Sequence, residues 1–106
     1  MQRLSALDPE WLEVGGRIVG ITFTCPVCSR WGSQPVGAHN VGVLFSNPPD
    51  GGPAAPNDEN IIANYKGKRW TRTGTTFDDL SIAPSIDCTG SDPMCWHGHV
   101  LNGVVT

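Results

Sequence analysis

The chain has 106 residues, 39% of them hydrophobic, which fits one small globular domain spanning residues 1–106. Its net charge is −3 at pH 7, with seven Lys and Arg residues against ten Asp and Glu. The excess of acidic residues argues against a nucleic-acid partner, because such binders need clustered Lys and Arg to neutralise phosphates. One basic group is present, and it is too short to reverse this expectation: Lys66, Lys68, Arg69 and Arg72. Thirteen glycines and nine prolines favour short elements over long helices.

The N-terminal segment, residues 5–14, predicts one short helix. Ser5 or Asp8 suits the N-cap, Pro9 suits the first turn, and Gly15-Gly16 would end the helix. This region has acidic residues and no apolar run, which predicts no signal peptide. No segment approaches the ~18 apolar residues of a membrane span. We therefore expect an intracellular protein that does not contact a membrane.

Short strands are predicted for most of the remaining chain, from β-forming composition and alternating hydrophobicity. The predicted strands are residues 17–24, 40–45, 61–65, 68–73, 80–82, 96–100 and 104–105. Residues 46–60 contain four prolines and two glycines and predict a long surface loop. Asn102-Gly103 predicts a type I′ turn in the last hairpin. The expected fold is mainly β, a small single-domain sandwich or open barrel with one short N-terminal helix.

A Cys-Pro-Val-Cys turn at Cys25 and Cys28 is the strongest chemical signal in the chain. Two thiolates spaced by two residues in a turn can both bind one tetrahedral metal ion. A reducing intracellular setting disfavours disulfides, and no thioredoxin-like helix follows Cys28 to suit a redox pair. Zinc therefore explains the two cysteines better than redox chemistry does.

The second half of a zinc site is predicted at Cys95 and His97. Residues two apart in a strand point to the same face, so these two side chains can bind a metal approached from that face. Together with Cys25 and Cys28 they make a Cys₃His set, which fills a tetrahedral site and is typical of structural zinc. The sequence therefore predicts a zinc staple that stabilises a small domain.

Three further side chains are substitutes for the predicted ligands. Cys88 is the chief substitute for Cys95, and His39 is a substitute for His97. His99 lies ~6.5 Å farther along the strand and is predicted to lie beyond the metal. A catalytic zinc would need an open coordination position and a general base, and the residues after His39 lack the Glu of a zinc-deaminase motif. The pattern predicts no catalytic residues and a non-enzymatic protein.

The order of these motifs resembles a family of small phage and prophage proteins. The resembling segments are GITFTCPVC at residues 20–28, VLFSNPPDGG at 43–52, WTRTGTTFDDLSIAPSID at 70–87 and CWHGHVLNG at 95–103. In that family the position of Cys95 often holds His, which implies that Cys95 and His97 form a chelating pair. The position of His99 holds an aromatic residue there, and Cys88 need not be Cys. Extra residues around Asp92-Pro93 depart from the family spacing.

The resemblance implies no activity, but it implies a location in the cytoplasm of an infected bacterium. Our leading hypothesis is a phage-encoded accessory protein that carries structural zinc and binds a host or phage protein. Inhibition of a host defence, as by an anti-CRISPR protein, is one form of this role. The first alternative is a virion or assembly component, in which the domain would form a homo-oligomer. The second is a zinc-dependent hydrolase with an open coordination position.

Overall fold

The computed structural model describes residues 2–26, 40–56, 67–87 and 96–106, and these residues confirm a mainly β fold. The strands in these ranges are β1 (Gln2–Arg3), β2 (Glu10–Val14), β3 (Arg17–Thr24), β4 (Asn40–Leu44), β5 (Thr71–Thr73), β6 (Ser81–Asp87), β7 (His97–Leu101) and β8 (Val104–Val105). Within the same ranges, no helix has the length and apolar character needed to cross a membrane.

Two antiparallel sheets contain these strands. The first has the order β2-β3-β4, and the second has the order β1-β8-β7-β6-β5. One parallel bridge between Phe45 and Trp70 connects the end of β4 to the start of β5. The Trp70 N–H donates to the Leu44 carbonyl, and the Ser46 N–H donates to the Trp70 carbonyl, both at 2.8 Å. The two sheets therefore share a short hydrogen-bonded seam.

The predicted N-terminal helix over residues 5–14 is wrong. Leu4–Leu7 form a single 3₁₀ turn, and Glu10–Val14 form β2, which pairs antiparallel with β3. Gly15 and Gly16 have φ angles of 60° and 81°, the two positive values of a type I′ turn. A glycine pair ends a helix or connects two strands equally well. Here the hydrogen bonds to β3 outweigh the weak stability of a two-turn helix.

The other predicted strands are present wherever the structure describes them, although some of their bounds differ. β3 has the predicted bounds, and the strand predicted at 40–45 is β4 followed by the bridge at Phe45. In the segment 68–73, Trp70 forms the bridge and only residues 71–73 form a strand, whereas β6 extends past its predicted end to Asp87. Asn102 and Gly103 have φ angles of 48° and 73° and confirm the last hairpin. The strand predicted at 61–65 lies outside the described residues.

The main hydrophobic core contains residues from both sheets. Its buried members are Leu4, Leu7, Ile21, Phe23, Cys25, Val41, Val43, Phe45, Leu80, Ile82, Ile86, Trp96, Val100 and Val105. A smaller cluster consists of Val19, Leu44 and Ala55, with Leu12 packed against it. Complete burial of one large apolar side chain contributes roughly 1.5–3 kcal/mol, so these contacts dominate the stability of the fold.

The described part of the predicted surface loop, residues 46–56, has no regular secondary structure and is fixed to its surroundings. Arg17 donates to the Asp50 carboxylate through Nε at 2.6 Å and through Nη2 at 2.9 Å. The same Nη2 donates to the Pro53 carbonyl at 3.0 Å, and Arg69 Nη2 donates to the Ala55 carbonyl at 2.6 Å. The Arg17 contacts hold the loop against the start of β3, and the Arg69 contact holds it against the segment that precedes β5.

Candidate metal centre

Two of the four predicted zinc ligands, Cys25 and His97, belong to the described residues. The other two, and two of the three substitutes, lie outside them: Cys28, Cys95, Cys88 and His39. His99, the third substitute, is described. The structure therefore gives the surroundings of one residue from each half of the predicted site.

Cys25 is fully buried and directly follows β3. Alternate residues of a strand point to the same side, and Cys25 continues the buried row of Ile21 and Phe23. Trp96 belongs to the same hydrophobic cluster. The first cysteine of the Cys-Pro-Val-Cys turn therefore lies at the end of an inward-facing strand, in apolar surroundings.

The end of β3 lies beside the start of β7. The rings of Phe23 and Trp96 meet edge to face, with centroids 5.8 Å apart and an interplanar angle of 74°. Phe23 lies two residues before Cys25, and Trp96 lies one residue before His97. Two segments that are far apart in the sequence, one from each half of the predicted site, therefore come together in the fold.

His97 lies on the exposed face of β7. Burial alternates along this strand: Gly98 and Val100 are buried, whereas His97, His99 and Leu101 are exposed. The expectation that His97 and His99 share a face is therefore confirmed. Trp96 is buried in the cluster that contains Cys25, so the His97 side chain projects from β7 away from that cluster.

No group of three or more His, Cys, Asp or Glu side chains suited to a metal ion occurs within the described residues. The predicted set draws two of its four ligands from outside those ranges, so the set itself stays a prediction. Cys25 and His97 have opposite surroundings: the thiol lies in the core and the imidazole lies on the surface.

A contact that the sequence analysis missed joins His97 to Ser85. The Nε2 atom of His97 lies 3.3 Å from Oγ of Ser85 on the neighbouring strand β6. Asp87, two residues after Ser85, is the cross-strand partner of His97. A hydroxyl can donate or accept a hydrogen bond, and so can a neutral imidazole through its two nitrogens. Ser85 is therefore able to fix the orientation of the His97 ring.

The missed contact lies beside an irregular register between β6 and β7. Ile82 pairs with Val100 and Ile86 pairs with Gly98, so four steps along β6 match two steps along β7. The two extra residues of β6 make Asp87 the direct partner of His97 and leave Ser85, on the same face as Asp87, as its diagonal neighbour. The pattern of the sequence gives no signal for the extra residues except Pro84, which cannot donate a backbone hydrogen bond to a sheet.

Two carboxylates outside the candidate centre have pKa values below their usual range. Hydrogen bonds from Arg17, and then from the Gly52 backbone N–H, lower the pKa of Asp50. The Asp79 carboxylate accepts hydrogen bonds from the Thr76 backbone N–H and hydroxyl and from the Thr75 N–H, which lower its pKa. Both carboxylates fix loops, and their partners account for their ionisation without a catalytic role.

Comparison of the chain with known protein families, with curated proteins and with solved structures gives no match. A function must therefore be argued from the residues of the chain and their arrangement.

Proposed function

We propose that this chain is a non-enzymatic, phage-encoded accessory protein that carries one structural zinc ion and acts by binding a bacterial protein. The proposed ligands are Cys25, Cys28, Cys95 and His97. The observation that carries the zinc proposal is the meeting of β3 and β7, which brings Cys25 and the residue before His97 into one hydrophobic cluster. A metal site with ligands from both segments can form only where the end of β3 lies beside the start of β7.

The chemistry of the donor set fits zinc. Thiolates and imidazole are the usual protein ligands of this metal, and four protein ligands are typical of a structural site. β3 belongs to the three-stranded sheet and β7 belongs to the five-stranded sheet. A metal bound by both residues would join the two sheets, which is useful to a domain of this size because its core alone provides a small stability margin. The His97 side chain points away from the cluster that contains Cys25, so the proposal requires the start of β7 to change its orientation when zinc binds.

Protein binding is proposed as the mode of action because a zinc ion with four protein ligands keeps no position for substrate or water. The net charge of −3 does not suit a nucleic-acid partner. Thiolate ligands persist in a reducing compartment, which fits the cytoplasm of an infected bacterium. The resemblance to phage proteins favours a host protein as the target, and an inhibitor of a host defence such as an anti-CRISPR protein is one form of the proposal.

Elemental analysis of the purified protein tests the zinc proposal. We expect about one zinc per chain, and we expect Cys25→Ser and His97→Ala each to lose zinc together with thermal stability, because a structural zinc ion contributes directly to folding. His99→Ala is the matched control, since His99 lies on the same exposed face of β7 and should leave the zinc content unchanged. Full retention of zinc by the double variant Cys25→Ser, Cys28→Ser would show that the ligand assignment is wrong.

Two measurements separate the proposal from its alternatives. The absorption spectrum of the cobalt-substituted protein distinguishes four protein ligands from three ligands and a water, and the second result would favour a zinc-dependent hydrolase. Mass spectrometry of purified phage particles tests the virion alternative, because an inhibitor should be absent from mature particles.

Affinity purification of the tagged chain from infected cells tests the binding of a bacterial protein. We expect one host protein to be enriched with the wild-type chain and lost with the zinc-free Cys25→Ser variant. Recovery of no host protein under several extraction conditions would contradict the proposed mode of action.

A further inference from the structure

We infer that the proline ledge, residues 53–56, is the surface through which this chain contacts its partner protein, and that it fits a groove lined by aromatic side chains. The sequence of the ledge is Pro-Ala-Ala-Pro. Two prolines at this spacing are typical of segments that bind aromatic-lined grooves. The inference rests on the proposed binding of a bacterial protein and deepens it, because it names the contact surface and the chemistry of the partner.

Exposure to solvent repeats every three residues along the ledge and the residues before it. Asp50, Pro53 and Pro56 are exposed, whereas Ala55 is buried in the smaller hydrophobic cluster with residues of β3 and β4. This period matches a polyproline II helix, which has three residues per turn and therefore places residues three apart on the same side. Both proline rings thus face solvent, while Ala55 anchors the ledge to the three-stranded sheet.

The backbone of the ledge is fixed by side chains of the domain. Arg17 Nη2 donates to the Pro53 carbonyl at 3.0 Å, and Arg69 Nη2 donates to the Ala55 carbonyl at 2.6 Å. Arg17 is itself held by its two hydrogen bonds to Asp50. The rings of the prolines restrict the backbone further. A surface that is ordered in advance loses little conformational entropy when a partner binds, which favours its use as a contact surface.

The ledge presents apolar surface to a partner. The one ionisable residue in the segment 46–56 is Asp50, and its carboxylate is paired with Arg17. The two residues between the prolines are alanines, so no long side chain prevents a groove from reaching both rings. Trp and Tyr are enriched in protein interfaces and supply large apolar faces for such contacts. A groove lined by these two residue types is therefore the partner surface that fits.

Titration with the purified host protein that the wild-type chain enriches from infected cells tests the ledge. We expect the double variant Pro53→Ala, Pro56→Ala to bind that protein about tenfold more weakly or worse, a loss typical of the truncation of anchoring side chains. Pro49→Ala is the matched control, because it removes a proline ring from the same loop outside the ledge. We expect Pro49→Ala to bind as tightly as the wild type.

Photo-crosslinking gives a second test that does not depend on the proline variants. With p-benzoylphenylalanine in place of Ala54, between the two prolines, we expect the cross-linked host peptide to belong to a groove that contains Trp or Tyr. Equal binding of the double variant and the wild type, or cross-links to a surface without aromatic side chains, would overturn the inference and leave the proposed function in place. Enrichment of no host protein by the wild-type chain would overturn both.

Discussion

Arg17 and Asp50 form a two-point ion pair that fixes residues 50–53 against the start of β3. The pair raises the pKa of Arg17 and lowers the pKa of Asp50, in both cases first through the side-chain hydrogen bond. Since the Asp50 pKa is lower in the folded than in the unfolded protein, this pair stabilises the fold above about pH 4, the ordinary pKa of Asp. That stability is lost as the pH falls through the folded-state pKa.

Asp50→Asn should therefore lower the stability at pH 7 and flatten its decline below about pH 4. Both groups are partly exposed, with side-chain exposures of 35% for Arg17 and 45% for Asp50, so salt should weaken the effect. Urea denaturation at pH 7 and pH 3, at low and high salt, measures both changes. Glu13→Gln, which removes an exposed carboxylate from β2, is the control. Equal pH dependence in wild type and Asp50→Asn would contradict this account.

At the scale of single elements, the Gly15-Gly16 turn connects β2 to β3 and allows the N-terminal segment to pair as a strand. Gly16 has a φ of 81°, a value that costs an ordinary residue about 1–2 kcal/mol. Gly16→Ala should lower the free energy of unfolding by about that amount, and Gly16→Asn should lower it less because Asn enters the left-handed region more easily. Chemical denaturation measures the difference. An Ala variant as stable as the wild type would argue against the hairpin.

The elements that the sequence predicts well are those fixed by local signals. β3 has alternating β-formers, and Asn102-Gly103 specifies the turn between β7 and β8 by itself. The N-terminal segment has no such signal, because its state depends on whether Glu10–Val14 can pair with β3. Pairing of this kind is a tertiary contact, and it overrides the weak preference of a short segment.

In the candidate site, too, local features could be predicted from the sequence and tertiary contacts could not. The Cys-x-x-Cys spacing and the shared face of His97 and His99 are local features and could be predicted. The contact between Ser85 and His97 could not, because it depends on which residues of β6 pair with β7, and that pairing is a tertiary contact. The proximity of Phe23 and Trp96 depends on packing between the two sheets, which no spacing in the sequence encodes.

At the scale of the whole molecule, the hydrogen-bonded seam between the two sheets is short, and the side chain of Asn47 adds two hydrogen bonds to it. Asn47 Nδ2 donates to the Arg72 carbonyl at 2.9 Å, and the Arg72 N–H donates to Asn47 Oδ1 at 2.8 Å. The Asn47 amide thus replaces a backbone peptide group as the partner of β5, just beyond the bridge between Phe45 and Trp70.

Asn47→Ala should destabilise the whole fold by about 1–3 kcal/mol, because it removes two hydrogen bonds that connect the sheets. Ser46→Ala is the matched control. The Ser46 hydroxyl donates to a Trp70 carbonyl that already accepts the Ser46 N–H, so its loss leaves no backbone group unpaired. Thermal denaturation should show a clearly larger decrease for Asn47→Ala. Equal decreases would show that the Asn47 amide does not join the sheets.

The burial of Cys25 has a consequence for the timing of metal loading. A thiol enclosed by the core cannot be reached by a metal ion in solution unless that end of the molecule opens. If Cys25 is a zinc ligand, the ion enters either as the chain folds after synthesis or during rare local opening. Zinc added to a folded, metal-free protein would then be taken up at the rate of opening, independent of zinc concentration. The same slow opening would limit the release of bound zinc, so an ion acquired while the chain folds would exchange slowly with zinc in solution.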